Sequence, residues 1–502
     1  MIFSTPVFYL LSLPLALLGF QLFGYFGRRS AVSFLSFMSL YLYYRWNHRV
    51  FFLLLFSIVA NYVIADMIAR SAKREREQTF WLVTGIAANL AFLCFFKYLF
   101  PVLNFISAIG LAHHTWGSLI LPLGISFFTF TQISYLIDLK QGLAPHESFL
   151  NYTFFVTFFP HLVAGPIIRD KELMPQVSQD RRYCLNSADL ALGITWFTMG
   201  MFKKVIIADQ IAPIADTFFA HPHGAAASSA WLGVLTYSMQ LYFDFSGYSD
   251  MAVGIARMFS IRFPFNFNSP YKATGIIDYW QRWHITLTRF IMDYIYAPIQ
   301  FRVSRSRQEK GKKVSRKATA TLEGFTQMIA TPTLVTMTLA GIWHGAGIRF
   351  LLYGLVHGVY IAINHAWRIF VPHESRLKKI VNVPVSIGIT FLAVIVAQVF
   401  FRANSLRDVS AVLSDMAGCH GLGHAWPLGQ TLLIVALFAV VWLLPNTQEI
   451  LGQTHENDAP NWNLISVRQW RPTLPWWLAT TFTFALSMFY STASTTFLYF
   501  QF

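Results

Sequence analysis

Apolar residues in this chain gather into runs of helix length, separated by short polar or basic joints. The runs fall at 7–26, 31–44, 50–69, 80–100, 118–137, 149–164, 190–219, 230–259, 326–343, 348–370, 384–401, 430–444 and 474–490. A helix crossing a bilayer needs about 20 such residues. Most runs reach that length; 31–44 and 149–164 are marginal and are expected to be re-entrant or interfacial. The period-two alternation of a membrane β-barrel is absent. The pattern predicts an all-α polytopic membrane protein with about 11–12 transmembrane or re-entrant helices. Nothing marks off a separate soluble domain, so residues 1–502 read as a single membrane-embedded unit.

The stretch 261–300 is too polar to span, yet it is rich in aromatics. On a helical wheel from Thr274, Trp280, Trp283, Leu287, Phe290, Ile291 and Tyr294 share one face, and Arg282, Thr286, Arg289 and Asp293 lie opposite. That predicts an amphipathic helix along the membrane or the protein's own surface, with His284 at the edge of its apolar face.

Composition strengthens the membrane reading. The chain is 55% hydrophobic and 12% charged, against about 25% charged in an ordinary globular protein. So few charges cannot cover the surface of several soluble domains. Net charge is +15, and much of it is local: Arg302 to Lys317 holds eight basic residues against Glu309 alone. Such a cluster predicts a cytoplasmic loop, and it could also draw in an anionic cytosolic substrate. Arg70, Lys73, Arg74 and Arg76 mark a second cytoplasmic loop, whereas Arg45 and Arg49 fit the alternation poorly. The N-terminus lacks a basic n-region and a small-residue cleavage site, so it reads as a retained first span with its end outside. Cys94, Cys184 and Cys419 are too scattered for a disulfide framework or a CxxC site.

Polar groups within apolar runs mark candidate chemistry. His344 sits in Gly341-Ile342-Trp343-His344-Gly345-Ala346-Gly347, between an indole and small residues that would let a substrate approach. It reads as a buried general base or as a core histidine bonded to a carbonyl. His357, in Gly354-Leu355-Val356-His357-Gly358, reads as packing, and His161 as part of a structural turn at Phe159–Pro166. Asp244 and Asp250, six residues apart, must be paired, protonated or near water, and a helix break would accommodate them. His344 and His357 are thirteen apart with no carboxylate between them, so no metal site is expected. A G-x-S-x-G elbow is absent, which leaves proton transfer by an isolated imidazole.

Taken in order, several segments resemble the membrane-bound O-acyltransferase family, most nearly its bacterial branch containing alginate O-acetylase and the D-alanyl transferase of teichoic acid. They are Phe159–Pro166, Leu241–Asp250, Asn266–Tyr271, Tyr279–His284, Trp343–Ala346 and the final Phe497–Phe502. The likeness runs from about residue 90 to residue 365. It implies helices ringed around a funnel or tunnel, with His344 as the catalytic histidine and His284 as a second polar residue of the site. Trp343, Trp283, Asp244 and Asp250 are then expected to contact substrate. The chain departs from the family at Gln281, where an arginine is usual, at Phe290-Ile291-Met292-Asp293, and after Pro298, where a glycine pair is missing.

The resemblance further implies no bound cofactor and a donor such as acetyl-CoA or another acyl thioester. It also implies an extracytoplasmic relay protein, association with polysaccharide synthesis, and residence in a bacterial inner membrane. D-alanyl transfer to teichoic acid is the alternative chemistry. A non-catalytic transporter or export subunit is the alternative class, but the internal repeats typical of transporters are missing.

Overall fold

The computed structural model describes residues 3–108, 117, 121–178, 183–372, 374–454, 461, 463–491 and 498. Among them the apolar runs fold as helices, and extended pairing is confined to one bridge between Phe267 and Trp283. Five helical stretches have the length and hydropathy to cross a bilayer: His48–Arg70, Glu75–Lys97, Ser187–Ala220, Leu322–His344 and Val383–Arg402. Phe8–Gly24 and Leu428–Leu443 are shorter apolar helices. Large apolar side chains such as Phe52, Phe56, Phe482 and Phe489 face outward, as a multi-pass membrane protein requires of surfaces that meet lipid.

The marginal runs resolve in opposite ways. Run 31–44 extends into a 19-residue helix, Arg28–Trp46, because Arg28, Arg29 and Arg45 continue the helix beyond its apolar part. Run 149–164 breaks. Ser148 caps Phe149–Thr157 by accepting from Asn151 N–H, and the backbone leaves the helical region at Phe158 (φ −50°, ψ 110°) before Phe159–Leu162 restarts it. The freed Phe159 N–H donates to Ser39 Oγ at 3.1 Å. In run 118–137, residues 118–120 lie outside the described part, and the helix Ile125–Lys140 begins after Gly124.

The basic segment is mostly helical rather than a loop. The helix Ala297–Glu309 carries Arg302, Arg305 and Arg307, with Arg305 paired to Glu309 one turn on. Arginine and glutamine are good helix formers, which explains the continuation. Gly311 (φ +67°) ends the helix, Lys312 N–H reaching back to Arg307 O and Gly311 N–H to Gln308 O. This is the hydrogen-bond pattern of a Schellman cap.

The chain forms two compact units. One comprises Met1–Ile206, Asp244–Phe265 and Arg471–Phe502; the other comprises Ile207–Phe243 and Asn266–Trp470. The 32-residue helix Ala227–Met258 contributes to both. Within the first unit, Gly193 faces Gly254 and Gly200 faces Gly247 so closely that a Cβ on Gly200 would lie 2.6 Å from Gly247 O. Within the second, helices Thr331–His344 and Ile348–Phe370 turn back on each other through Gly345–Gly347. A Cβ on Gly354 would lie 2.2 Å from Met337 O and 2.8 Å from Gly341 Cα, so these two helices meet backbone to backbone.

Candidate active site

His284 does not sit on a continuous amphipathic helix. Helix Ile276–Arg282 stops at Trp283, which is extended, and His284 adopts a left-handed conformation (φ +44°, ψ 52°) before Ile285–Ile291 begins. No glycine or proline interrupts this stretch, so the break is tertiary. Asn268 N–H donates to Arg282 O at 2.9 Å, and Ile285 N–H donates to Asn266 O at 3.0 Å. The segment Asn266–Ser269 thereby takes two backbone groups that a continuous helix would have used. Such strain on a non-glycine residue persists only where surrounding structure enforces it.

The same segment positions the imidazole. Asn266 Oδ1 accepts from Thr286 Oγ1 at 2.6 Å and lies 3.4 Å from His284 Nδ1. An amide oxygen accepts only, so this geometry places the proton on Nδ1 and makes Nε2 the basic nitrogen. His284 is 1% exposed. Burial pushes its pKa down to about 3, so the ring is neutral at ordinary pH. Arg282, expected on the polar face, is also buried: it pairs with Asp278 at 2.6 Å and donates to Asn268 O and to Asn461. Asn446 and Asn461 both donate to Asn268 Oδ1, at 2.9 and 2.6 Å. Sequence reading missed Asn446 and Asn461, which lie between the apolar runs 430–444 and 474–490.

His344 ends the helix Thr331–His344 and is 7% exposed. Its ring lies 4.9 Å from Trp343, 5.8 Å from Tyr353 and 5.2 Å from Phe401, centroid to centroid. Of the small residues expected to leave room beside it, Gly347 (φ +136°) has no described atom within 4 Å of a would-be Cβ, whereas Gly341 and Gly345 are filled. Gly341 is filled by Phe350 O and Gly354, and a Cβ on Gly345 would strike the Phe350 ring at 2.2 Å. Gly341 and Gly345 serve close packing, and aromatic faces lie against the imidazole.

Ring contacts connect the two histidines within the second unit. Tyr353 touches both His344 and His357, at 5.8 and 4.8 Å. His357 stacks with Tyr279 at 6.3 Å, and Tyr279 stacks with Trp283 at 5.7 Å. Trp283, beside His284 in the chain, also packs on Phe267 at 5.0 Å. His357 is fully buried, and its Nδ1 accepts from Trp280 Nε1 at 3.3 Å.

Asp244 and Asp250 belong to the first unit. Asp244 pairs with Lys204 at 2.5 Å, both side chains being almost wholly buried, and accepts Leu498 N–H at 2.9 Å. Asp250 pairs with Lys203 at 2.6 Å and accepts Trp196 Nε1 at 3.2 Å. Their helix continues unbroken through both positions, so no break is needed to accommodate them. Both carboxylates, expected at a substrate, are engaged by the fold's own lysines. His161 packs against Phe158 and Phe263. Of the final Phe497–Phe502 segment, all but Leu498 lies outside the described residues.

With this geometry in place, known proteins supply the class. The model of the membrane-bound O-acyltransferase family matches residues 145–314. Over 452 residues the chain is 38% identical to a peptidoglycan O-acetyltransferase of Helicobacter pylori, covering 84% of this chain and 81% of that one. It is 38% identical over 414 residues to a protein named probable alginate O-acetylase from Pseudomonas aeruginosa, covering 81% and 73%. A teichoic acid D-alanyltransferase of Bacillus subtilis is 28% identical over 403 residues, covering 78% and 94%. The chain belongs to the membrane-bound O-acyltransferase family. It is a multi-pass membrane enzyme that transfers acyl groups to oxygen.

Proposed function

We propose that the enzyme moves an acetyl group from a cytosolic thioester, acetyl-CoA being the simplest, to a hydroxyl on an extracytoplasmic acceptor serving a cell-surface polysaccharide. The observation that carries this reading is the 38% identity to two relatives named for acetyl transfer, against 28% for the D-alanyl relative. His344 acts as the base. It takes the acceptor hydroxyl proton while the oxygen attacks the thioester carbonyl; the C–S bond then breaks, and the imidazolium returns the proton to the departing thiolate. The aromatic walls around His344 limit water, the competing nucleophile. His284, neutral and fixed by Asn266, assists as a second polar group. No nucleophile elbow is present, so transfer is direct.

A polymer fits poorly between packed helices, whereas a single side chain or terminal group can enter. The reading therefore includes a separate extracytoplasmic protein that receives the acetyl group and passes it on. The test uses purified enzyme in liposomes loaded with radiolabelled acetyl-CoA. His344→Ala should insert at normal abundance and lose transfer, and His284→Ala should slow it. Full transfer by His344→Ala would make that residue structural. Efficient acetylation of external polymer without a second protein would remove the relay.

A further inference from the structure

The helix Ala297–Glu309 and the stretch 326–331 enclose a cleft of about 370 Å³, lined by Arg302, Arg307, Lys310, Lys312, Gln327 and Thr331 among others. That volume lies in the range of small-molecule pockets, about 300–1,000 Å³. Four cations face it, and Glu323 is the carboxylate that approaches them, touching Lys312 and lying 3.7 Å from Arg307. The balance is positive. Arg307 is 6% exposed although it belongs to the most basic part of the chain. Its guanidinium donates to Gln327 and to Lys313 O, and its Nε–H has no hydrogen-bond partner among the described residues. A buried charged donor left unmet costs free energy unless something fills it. A topogenic signal needs only positive charge near the membrane. It needs neither a cleft nor a guanidinium buried within one.

We propose that this cleft is a phosphate-binding site. A planar guanidinium with an unmet N–H, flanked by lysines, matches phosphate oxygens as donor and as charge. Two sources carry that chemistry: a soluble nucleotide-type bisphosphate or the head group of an anionic phospholipid. In the first case the site would hold the head of the thioester donor, an extension that rests on the function proposed above. Thr331 on the cleft wall and His344 belong to one helix, thirteen residues or about 20 Å apart along its axis. A second cavity of about 310 Å³, mostly apolar, is lined by Met292, Tyr296, Thr333 and Met337, which precede the first stretch and follow the second in the chain.

The test measures binding rather than catalysis, on the full chain in neutral phosphatidylcholine nanodiscs. Adenosine 3′,5′-bisphosphate is titrated calorimetrically against wild type and Arg302→Gln/Lys310→Gln. Both substituted side chains are exposed, so the variant should fold. Retention of phosphatidylglycerol over phosphatidylcholine is read for the same pair by native mass spectrometry. Saturable bisphosphate binding that weakens about tenfold or more in the variant supports the site with a soluble ligand. Phosphatidylglycerol retention lost in the variant, without bisphosphate binding, supports it with a lipid. If the substitutions move neither readout, the proposal is overturned. Arg307→Lys, which keeps the charge but removes the fork, should weaken the same ligand. Intact phosphate binding in an enzyme that transfers no acetyl group would count against the proposed function and leave the site standing.

Discussion

His284 combines a buried neutral imidazole with a left-handed backbone, and the burial makes stability depend on pH. Its folded pKa of about 3 lies below the unfolded value of about 6.5. Between those values the unfolded chain binds the extra proton, so stability rises with pH across that window and falls on acidification. From pH 7 to pH 5 this one group should cost the wild type about 2 kcal/mol. His284→Asn tolerates the backbone conformation and cannot titrate. Thermal midpoints in detergent at the two pH values should therefore differ less for the variant; equal acid sensitivity would contradict this origin. Lys204 offers the opposite experiment. Lys204→Met leaves Asp244 charged and buried, at a cost of about 3–5 kcal/mol, and adding Asp244→Asn should recover much of the folded yield. Sequence singled out His284, His344, Asp244 and Asp250 because charge and imidazole stand out against apolar runs. It could not assign partners: Lys204 lies forty residues from Asp244, and Asn266 lies eighteen from His284.

Helices Thr331–His344 and Ile348–Phe370 depend on one close approach, so glycine positions should respond differently to the same kind of change. Gly354→Val would drive side-chain carbons into Met337 O and Gly341 and should sharply reduce folded abundance in membranes. Gly388, within Val383–Arg402, has no described atom within 4 Å of its would-be Cβ. Gly388→Ala should raise stability by about 0.5–1 kcal/mol, read as a higher thermal midpoint. Apolar run length foretold most helices, and the turn expected at Phe159–Pro166 adjoins the break at Phe158. The break at Trp283–His284 was not legible, because the residues that impose it are Asn266 and Asn268, outside the interrupted helix. The basic segment 302–317, expected as a cytoplasmic loop, is helical up to Glu309, which charge density alone did not reveal.

Counting crossings gives the whole molecule a testable parity. If Leu322–His344 spans the membrane, Ile348–Phe370 returns beside it, and Val383–Arg402 spans again. Residues near 306 and near 419 then face opposite sides. In a background with Cys94 and Cys184 replaced, Cys419 should react with an impermeant maleimide from outside. A cysteine at Ser306 should react only after permeabilisation. Labelling of both from one side would refute the arrangement. Composition made the membrane class plain, whereas the division into two units was not visible, because the first is assembled from three separated parts of the chain. That assembly sets an order of events during synthesis. Lys204 is already made when Asp244 emerges, but the third member of their contact, the Leu498 amide, follows 254 residues later. At about 5–20 residues per second, the half-built protein waits roughly 10–50 s for it. Through that interval, of these two partners, Lys204 is the one in place to hold the buried Asp244 carboxylate.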